Sequence, residues 1–109
     1  MQSKLIISLK KIQKNWNYLN VNSKNNAAAV VKANAYGFGM IPISKSLAEI
    51  GCNFFYVAQL EEGLRLRDHF KSRKINIAIF EGLIHDIDYY QRNNLIPIIN
   101  NVYQFKKII

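Results

Sequence analysis

The chain has 109 residues, the size of one ordinary domain of about 100–150 residues, which excludes two. Half of the residues are apolar and 20% are charged, so there is enough apolar surface to bury, and a disordered or low-complexity chain is excluded. Fifteen Lys and Arg against seven Asp and Glu give a formal net charge of +8, a balance that taken alone suits nucleic acid, anionic lipid or phosphorylated ligands.

That charge is uneven, because Lys4, Lys10, Lys11, Lys14, Lys24, Lys32 and Lys45 all precede the first acidic residue, Glu49. Lys outnumbers Arg, in the pattern that AT-rich codons impose, whereas nucleic-acid binders interleave Arg and aromatic residues with their lysines. A small basic nucleic-acid-binding module acting through Lys10, Lys11 and Lys14 is therefore the weaker reading. The N-terminus lacks the arginines of a transit peptide, since the first is Arg65, and Leu5-Ile6-Ile7 is broken too soon for a signal peptide. No stretch approaches the roughly 18 apolar residues of a membrane span. The single Cys52 allows no internal disulfide, so a cytoplasmic, reducing compartment is expected and no membrane partner.

In chain order, Leu5, Leu9, Ile12, Trp16 and Leu19 recur at the spacings of an amphipathic helix, which Ser8 can cap in a shorter form. Asn20 to Asn26 reads as a loop, and Ala27 to Val31 as a buried strand. Lys32 to Gly39 follows as a loop with two glycines. Met40, Ile43, Leu47 and Ile50 then share a helix face, with Pro42 in its first turn and Gly51 at its stop. Phe54 to Ala58 is a second strand, and Gln59 to Phe70 a helix whose Glu61, Glu62, Arg65 and Arg67 suit the helix dipole. Ile75 to Phe80 is a third strand, Ile84 to Gln91 a weak helix, Leu95 to Ile99 a fourth strand despite Pro97, and Val102 to Ile109 the start of a further helix.

Strands recurring one strand-helix unit apart imply an α/β fold with parallel strands and right-handed crossovers. Four such strands form either a small open sheet with helices on both faces, or half of an eight-stranded barrel, which normally takes about 250 residues. Length favours the open sheet; the loop chemistry favours the barrel.

Lys32 ends the first strand, and the carboxyl edge of a parallel sheet is where α/β active sites are built. A lysine there can attack an aldehyde to form a Schiff base, or act as a general base. Gly37 and Gly39 let the backbone approach a phosphate or planar group, and Tyr36 offers a phenolic hydroxyl. The spacing matches neither a dinucleotide fingerprint nor a P-loop. His69 and His85 lack partners at metal-ligand spacing, so no metal site is expected. Glu81 reads as a loop carboxylate, and Tyr89 and Tyr90 as packing residues.

The whole string Val30-Val31-Lys32-Ala33-Asn34-Ala35-Tyr36-Gly37-Phe38-Gly39 resembles the cofactor-lysine signature AVVKANAYGHG of the alanine racemases. Related barrel decarboxylases share its Val-Lys-Ala-Asn core but not the continuation. Lys45 to Gly51 resembles the family's first barrel helix, Phe55 to Arg67 its "gVA…EEgl.LR" segment, Ile79 to Gly82 its strand ending in "LEG", and Leu95 to Ile99 its "l.PVv". The resemblance implies about the first four units of a (β/α)₈ barrel, with residues 1–109 forming an N-terminal segment and the family's C-terminal β domain absent. It implies pyridoxal 5'-phosphate as cofactor and L-alanine and D-alanine as substrates, for peptidoglycan precursor synthesis. Lys32 would hold the cofactor and act as the base on one face of the substrate α-carbon, and Tyr36 would reach the cofactor phosphate. The family's second acid/base, a tyrosine of the C-terminal domain delivered across a homodimer, has no counterpart here, so the chain alone is expected to be inactive without a complementing C-terminal chain or a homodimer partner. Phe38 replaces the signature's histidine. The competing reading is a non-catalytic remnant or a fragment that binds pyridoxal phosphate without turnover.

Overall fold

A computed structural model describes residues 8–32 and 39–106. Helix α1, Leu9–Asn22, begins at Ser8, whose hydroxyl accepts from the Lys11 amide at 3.3 Å. This is the shorter helix that Ser8 allows; Leu5 lies outside the described residues. Of its periodic apolar positions Trp16 alone is buried, while Leu19 is 60% exposed. The helix runs past the expected loop start at Asn20 and is unwound by Lys24 and Asn25, both at positive φ.

Strand β1, Ala29–Val30, is followed by α2, Met40–Glu49, then β2, Phe54–Val57, and α3, Leu60–His69. Strand β3, Asn76–Ile79, α4, Ile87–Arg92, β4, Ile96–Pro97, and α5, Val102–Lys106, complete the order. Helix α2 buries Met40, Ile43 and Leu47 as its periodicity predicts. Gly51 ends it at φ 106°, a left-handed position that favours glycine. Gln59 and Glu62 form a capping box at the start of α3, Glu62 Oε1 accepting from the amides of Ala58 and Gln59 at 3.0 Å each. The spacing of Glu61 and Arg65 produces no ion pair among the described residues.

The four strands are all parallel, in the spatial order β1-β2-β3-β4. That order decides between the two architectures. Right-handed crossovers that always step in one direction place every helix on the same face, whereas a doubly wound sheet reverses direction to cover both. The residues bear this out. Ala29, Val31, Phe55, Val57, Ile77, Ile79 and Leu95 point into one core with Trp16, Ile43, Leu47, Leu60, Leu66 and Tyr90. The alternate row, Val30, Tyr56, Ala78 and Ile96, is in register across the sheet on the other face. There Val30 is 46% and Ile96 39% exposed. A parallel sheet wound one way, with its helices on one face, has the arrangement of a portion of a barrel wall. No described helix is long and apolar enough to cross a membrane.

Arg67 ties the amino end of this sheet together. Its guanidinium donates to the carbonyls of Phe70 and Ser72 at 3.1 and 3.0 Å and to those of Ile75 and Asn94 at 2.6 and 3.0 Å. The helix-dipole reading of this residue is thus incomplete, since it also clamps the turns that lead into β3 and β4.

Candidate active site at the carboxyl edge of the sheet

Lys32 stands one residue beyond the last sheet hydrogen bond of β1, the Val31 amide donating to Tyr56 O at 2.8 Å. Val31 is buried in the core, and the Lys32 side chain is half-buried. Its Nζ lies 5.9 Å from the centroid of the Phe80 ring. Phe80 stacks on Tyr56, with centroids 5.3 Å apart and planes 16° apart, and Tyr56 stacks on Phe54 at 5.0 Å and 30°. A primary amine therefore sits beside the Phe80 ring, the end of a row of stacked rings that runs back through Tyr56 to Phe54, the first residue of β2. Lys32 makes no hydrogen bond or ion pair to a described residue.

The loops around this edge are fixed by side chains from distant segments. Glu81 is an exposed loop carboxylate, as expected, and its Oε2 also accepts from the Leu60 amide at 2.9 Å, so it caps α3. Tyr90 is buried, and its hydroxyl donates to Gly82 O and accepts from the Ile84 amide, both at 3.1 Å. It packs as expected and also latches the loop after β3. Asn100 Nδ2 donates to Phe80 O at 3.1 Å, while the Asn100 amide donates to Gln104 Oε1 at 2.8 Å. Gly82, at φ 89°, admits this pair closely: a Cβ there would come within 2.7 Å of both Asn100 Nδ2 and Gln104 Nε2.

Tyr36, Gly37 and Phe38 lie outside the described residues; of that loop only its two ends are described. Gly39 adopts φ 95° and opens α2. His69 and His85 are exposed and pack against Phe70 and Tyr89. Cys52 is 1% exposed, and burial raises its thiol pKa above the ordinary 9.0, the weak contact to Phe54 O at 3.6 Å opposing this. Lys10, Lys11 and Lys14 are exposed on α1. A crevice of about 570 Å³ between α1 and α2 is lined by Leu9, Gln13, Pro42, Lys45 and others, and contains neither Lys32 nor any ring of the stack.

Sequence reasoning missed Phe80 and Asn100. Phe80 read only as the last apolar residue of a strand, and Asn100 only as a polar residue after one. The alternation of Phe54, Tyr56 and Phe80 to a common face was readable once β2 and β3 were paired, but the pairing register is a tertiary fact.

Residues 7–109 match the family described as "Alanine racemase, N-terminal domain". Among individual relatives, the alanine racemase of Rickettsia bellii (strain RML369-C) is 46% identical over 79 residues, covering 72% of this chain and 19% of the relative. That of Rickettsia canadensis (strain McKiel) is 39% identical over 104 residues, covering 94% and 29%. The solved alanine racemase from Bartonella henselae with covalently bound pyridoxal phosphate superposes with a TM-score of 0.83 at 32% identity, over 92% of this chain and 28% of that one. The chain thus spans between about a fifth and three tenths of the length of these relatives. A chain matched from residue 7 to its last residue, and folded as the same one-way parallel sheet, belongs to the alanine racemase N-terminal domain family.

Proposed function

We propose that this chain is the cofactor-holding segment of an alanine racemase, binding pyridoxal 5'-phosphate through Lys32 and taking part in the interconversion of L-alanine and D-alanine for peptidoglycan precursors in the cytoplasm. The observation that carries the reading is the setting of Lys32: a primary amine without an ion-pair partner among the described residues, at the carboxyl edge of β1, on the open face of a barrel-type sheet.

The residues present fit such a group. An aldehyde needs an accessible amine, which Lys32 supplies, and a planar ring needs apolar surface, which Phe80 and Tyr56 supply. Tyr36 is the residue proposed to reach the phosphate. When bound, the cofactor supplies the electron sink that makes the α-proton of alanine acidic. The protein's part is attachment, orientation and proton transfer. Lys32 Nζ would be the attachment point, and the same amine would hold or move a proton on one face of the substrate α-carbon.

Racemisation needs a second acid/base on the opposite face of that carbon. Tyr90 is committed to Gly82 and Ile84, and Tyr56 lies within the ring stack. Neither is proposed for that role. The second base and the remaining wall of the barrel are proposed to come from outside residues 1–109, in a complementing C-terminal chain or a homodimer partner, and residues 1–109 form the N-terminal segment of the barrel domain. The exposure of Val30, Phe80 and Ile96 supports this, because apolar side chains on an open sheet face are stabilised by further strands.

Titration of the purified chain with pyridoxal phosphate, followed by absorbance and compared with Lys32→Ala, tests the binding half of the proposal. The expected result is a saturable new band in the natural chain only, with no D-alanine formed from L-alanine by the chain alone. A non-saturable response shared by both proteins would leave the reading of a remnant without a working site.

A further inference from the structure

We infer that Phe80, held by its stack on Tyr56, is a positioning residue for the Lys32 amine. The inference rests on the reading of Lys32 as the cofactor-attachment residue and adds to it a group that directs the amine.

Lysine has four rotatable bonds and a strongly hydrated head, so an unpaired lysine at a strand end ordinarily samples solvent. Here it leans across the sheet. Strand β2 lies between β1 and β3, placing Lys32 and Phe80 two strand spacings apart, about 9–10 Å between backbones, yet Nζ is 5.9 Å from the ring centroid. The residue after β2, Ala58, has only a methyl side chain. Lys32, Ala58 and Phe80 each follow by two residues the register positions Val30, Tyr56 and Ala78.

The ring is fixed before the amine arrives. The Phe80 amide donates to Val57 O at 2.9 Å, its carbonyl accepts from Asn100 Nδ2 at 3.1 Å, and its ring is stacked on Tyr56. Phe80 is 38% exposed. A cation over an aromatic face is attracted by the ring quadrupole, and at an exposed site this biases the side chain about two- to fivefold toward the ring. With no competing carboxylate among the described residues, that bias decides where the amine rests.

The test compares Phe80→Leu and Phe80→Met, which keep an apolar side chain but remove the ring, with Phe80→Tyr, which keeps it. Lysines of the full chain are reductively ¹³C-methylated, and the Lys32 resonance is identified by its loss in Lys32→Ala. The expected result is an upfield ring-current displacement of the Lys32 signal in the natural chain and in Phe80→Tyr, lost in Phe80→Leu and Phe80→Met. In parallel, the share of pyridoxal phosphate trapped on Lys32 by borohydride should fall about two- to fivefold in the two aliphatic variants and be retained in Phe80→Tyr. An undisplaced Lys32 signal in the natural chain, or a Lys32 share in folded Phe80→Leu or Phe80→Met equal to or above that of the natural chain, overturns the inference. A displaced signal with no selective trapping in the natural chain instead overturns the cofactor reading, and with it the functional role given to Phe80.

Discussion

Removing the Arg67 guanidinium should cost more stability than any other change to a partly exposed charged residue of this chain. Four carbonyl oxygens, those of Phe70, Ser72, Ile75 and Asn94, accept from its two terminal nitrogens. Burial lowers the Arg67 pKa from its ordinary value, and no carboxylate opposes that. Compensation comes from the carbonyl dipoles alone. Hydrogen bonds to a charged group contribute about 1.5–3 kcal/mol each, but the Ser72 contact is exposed and water replaces it at little cost. Counting the three part-buried contacts and allowing for the guanidinium's own desolvation and for non-additivity, Arg67→Ala should destabilise by about 2–4 kcal/mol. Arg67→Lys, whose ammonium lacks the planar fork, should lose roughly half of that. Urea denaturation followed by circular dichroism measures both. A change within about 0.5 kcal/mol for Arg67→Ala would refute the clamp.

Two further changes separate packing from propensity and test the buried thiol. A Cβ on Gly63 would lie 2.9 Å from Ile79 Cδ1 and 3.1 Å from Ile79 Cγ1, so Gly63→Ala should destabilise by about 1–3 kcal/mol through overpacking, despite a helix-propensity gain of about 1 kcal/mol; adding Ile79→Val should recover part of it in the same denaturation assay. For Cys52, the folded-state pKa is raised above the ordinary 9.0 by burial. The folded chain therefore holds the proton more tightly than the unfolded chain. The contribution is full below about pH 9 and is lost as pH rises through the folded value, so Cys52→Ala should show a shallower alkaline loss of stability than the natural chain.

Much of the fold was legible because it is written in local chemistry. The Met40, Ile43, Leu47 stripe, the Gly51 stop and the acidic start of α3 each carry their reason within a few residues. The strands were located by their apolar runs, but sheet order was not. Whether the helices cover one face or two depends on the direction of each step across the sheet, which no single segment records. Helix α1 shows the limit of periodicity: Leu19 has the right spacing, yet it remains mostly exposed because the contacts of α1 are with α2 around Trp16 and Gln13, not along its full length.

The place of Lys32 just beyond β1 was legible from the apolar run that precedes it. Its surroundings were not. Phe80 stands 48 positions later, and Glu81 beside it caps a helix 21 positions earlier. Such contacts are created by the parallel register, which lines up residues from successive strand-helix units at one edge. A residue's neighbours in sequence hold no trace of them.

The central claim, that Lys32 is where the cofactor is attached, is tested most directly by locating the bond. The chain is mixed with pyridoxal phosphate, reduced with borohydride, digested and mapped by peptide mass, with Lys32→Ala as control. The account predicts that the label concentrates on the peptide containing Lys32 and that the control loses it without gaining a substitute. Label scattered over the exposed lysines Lys10, Lys11, Lys14 and Lys45 in both proteins would contradict it.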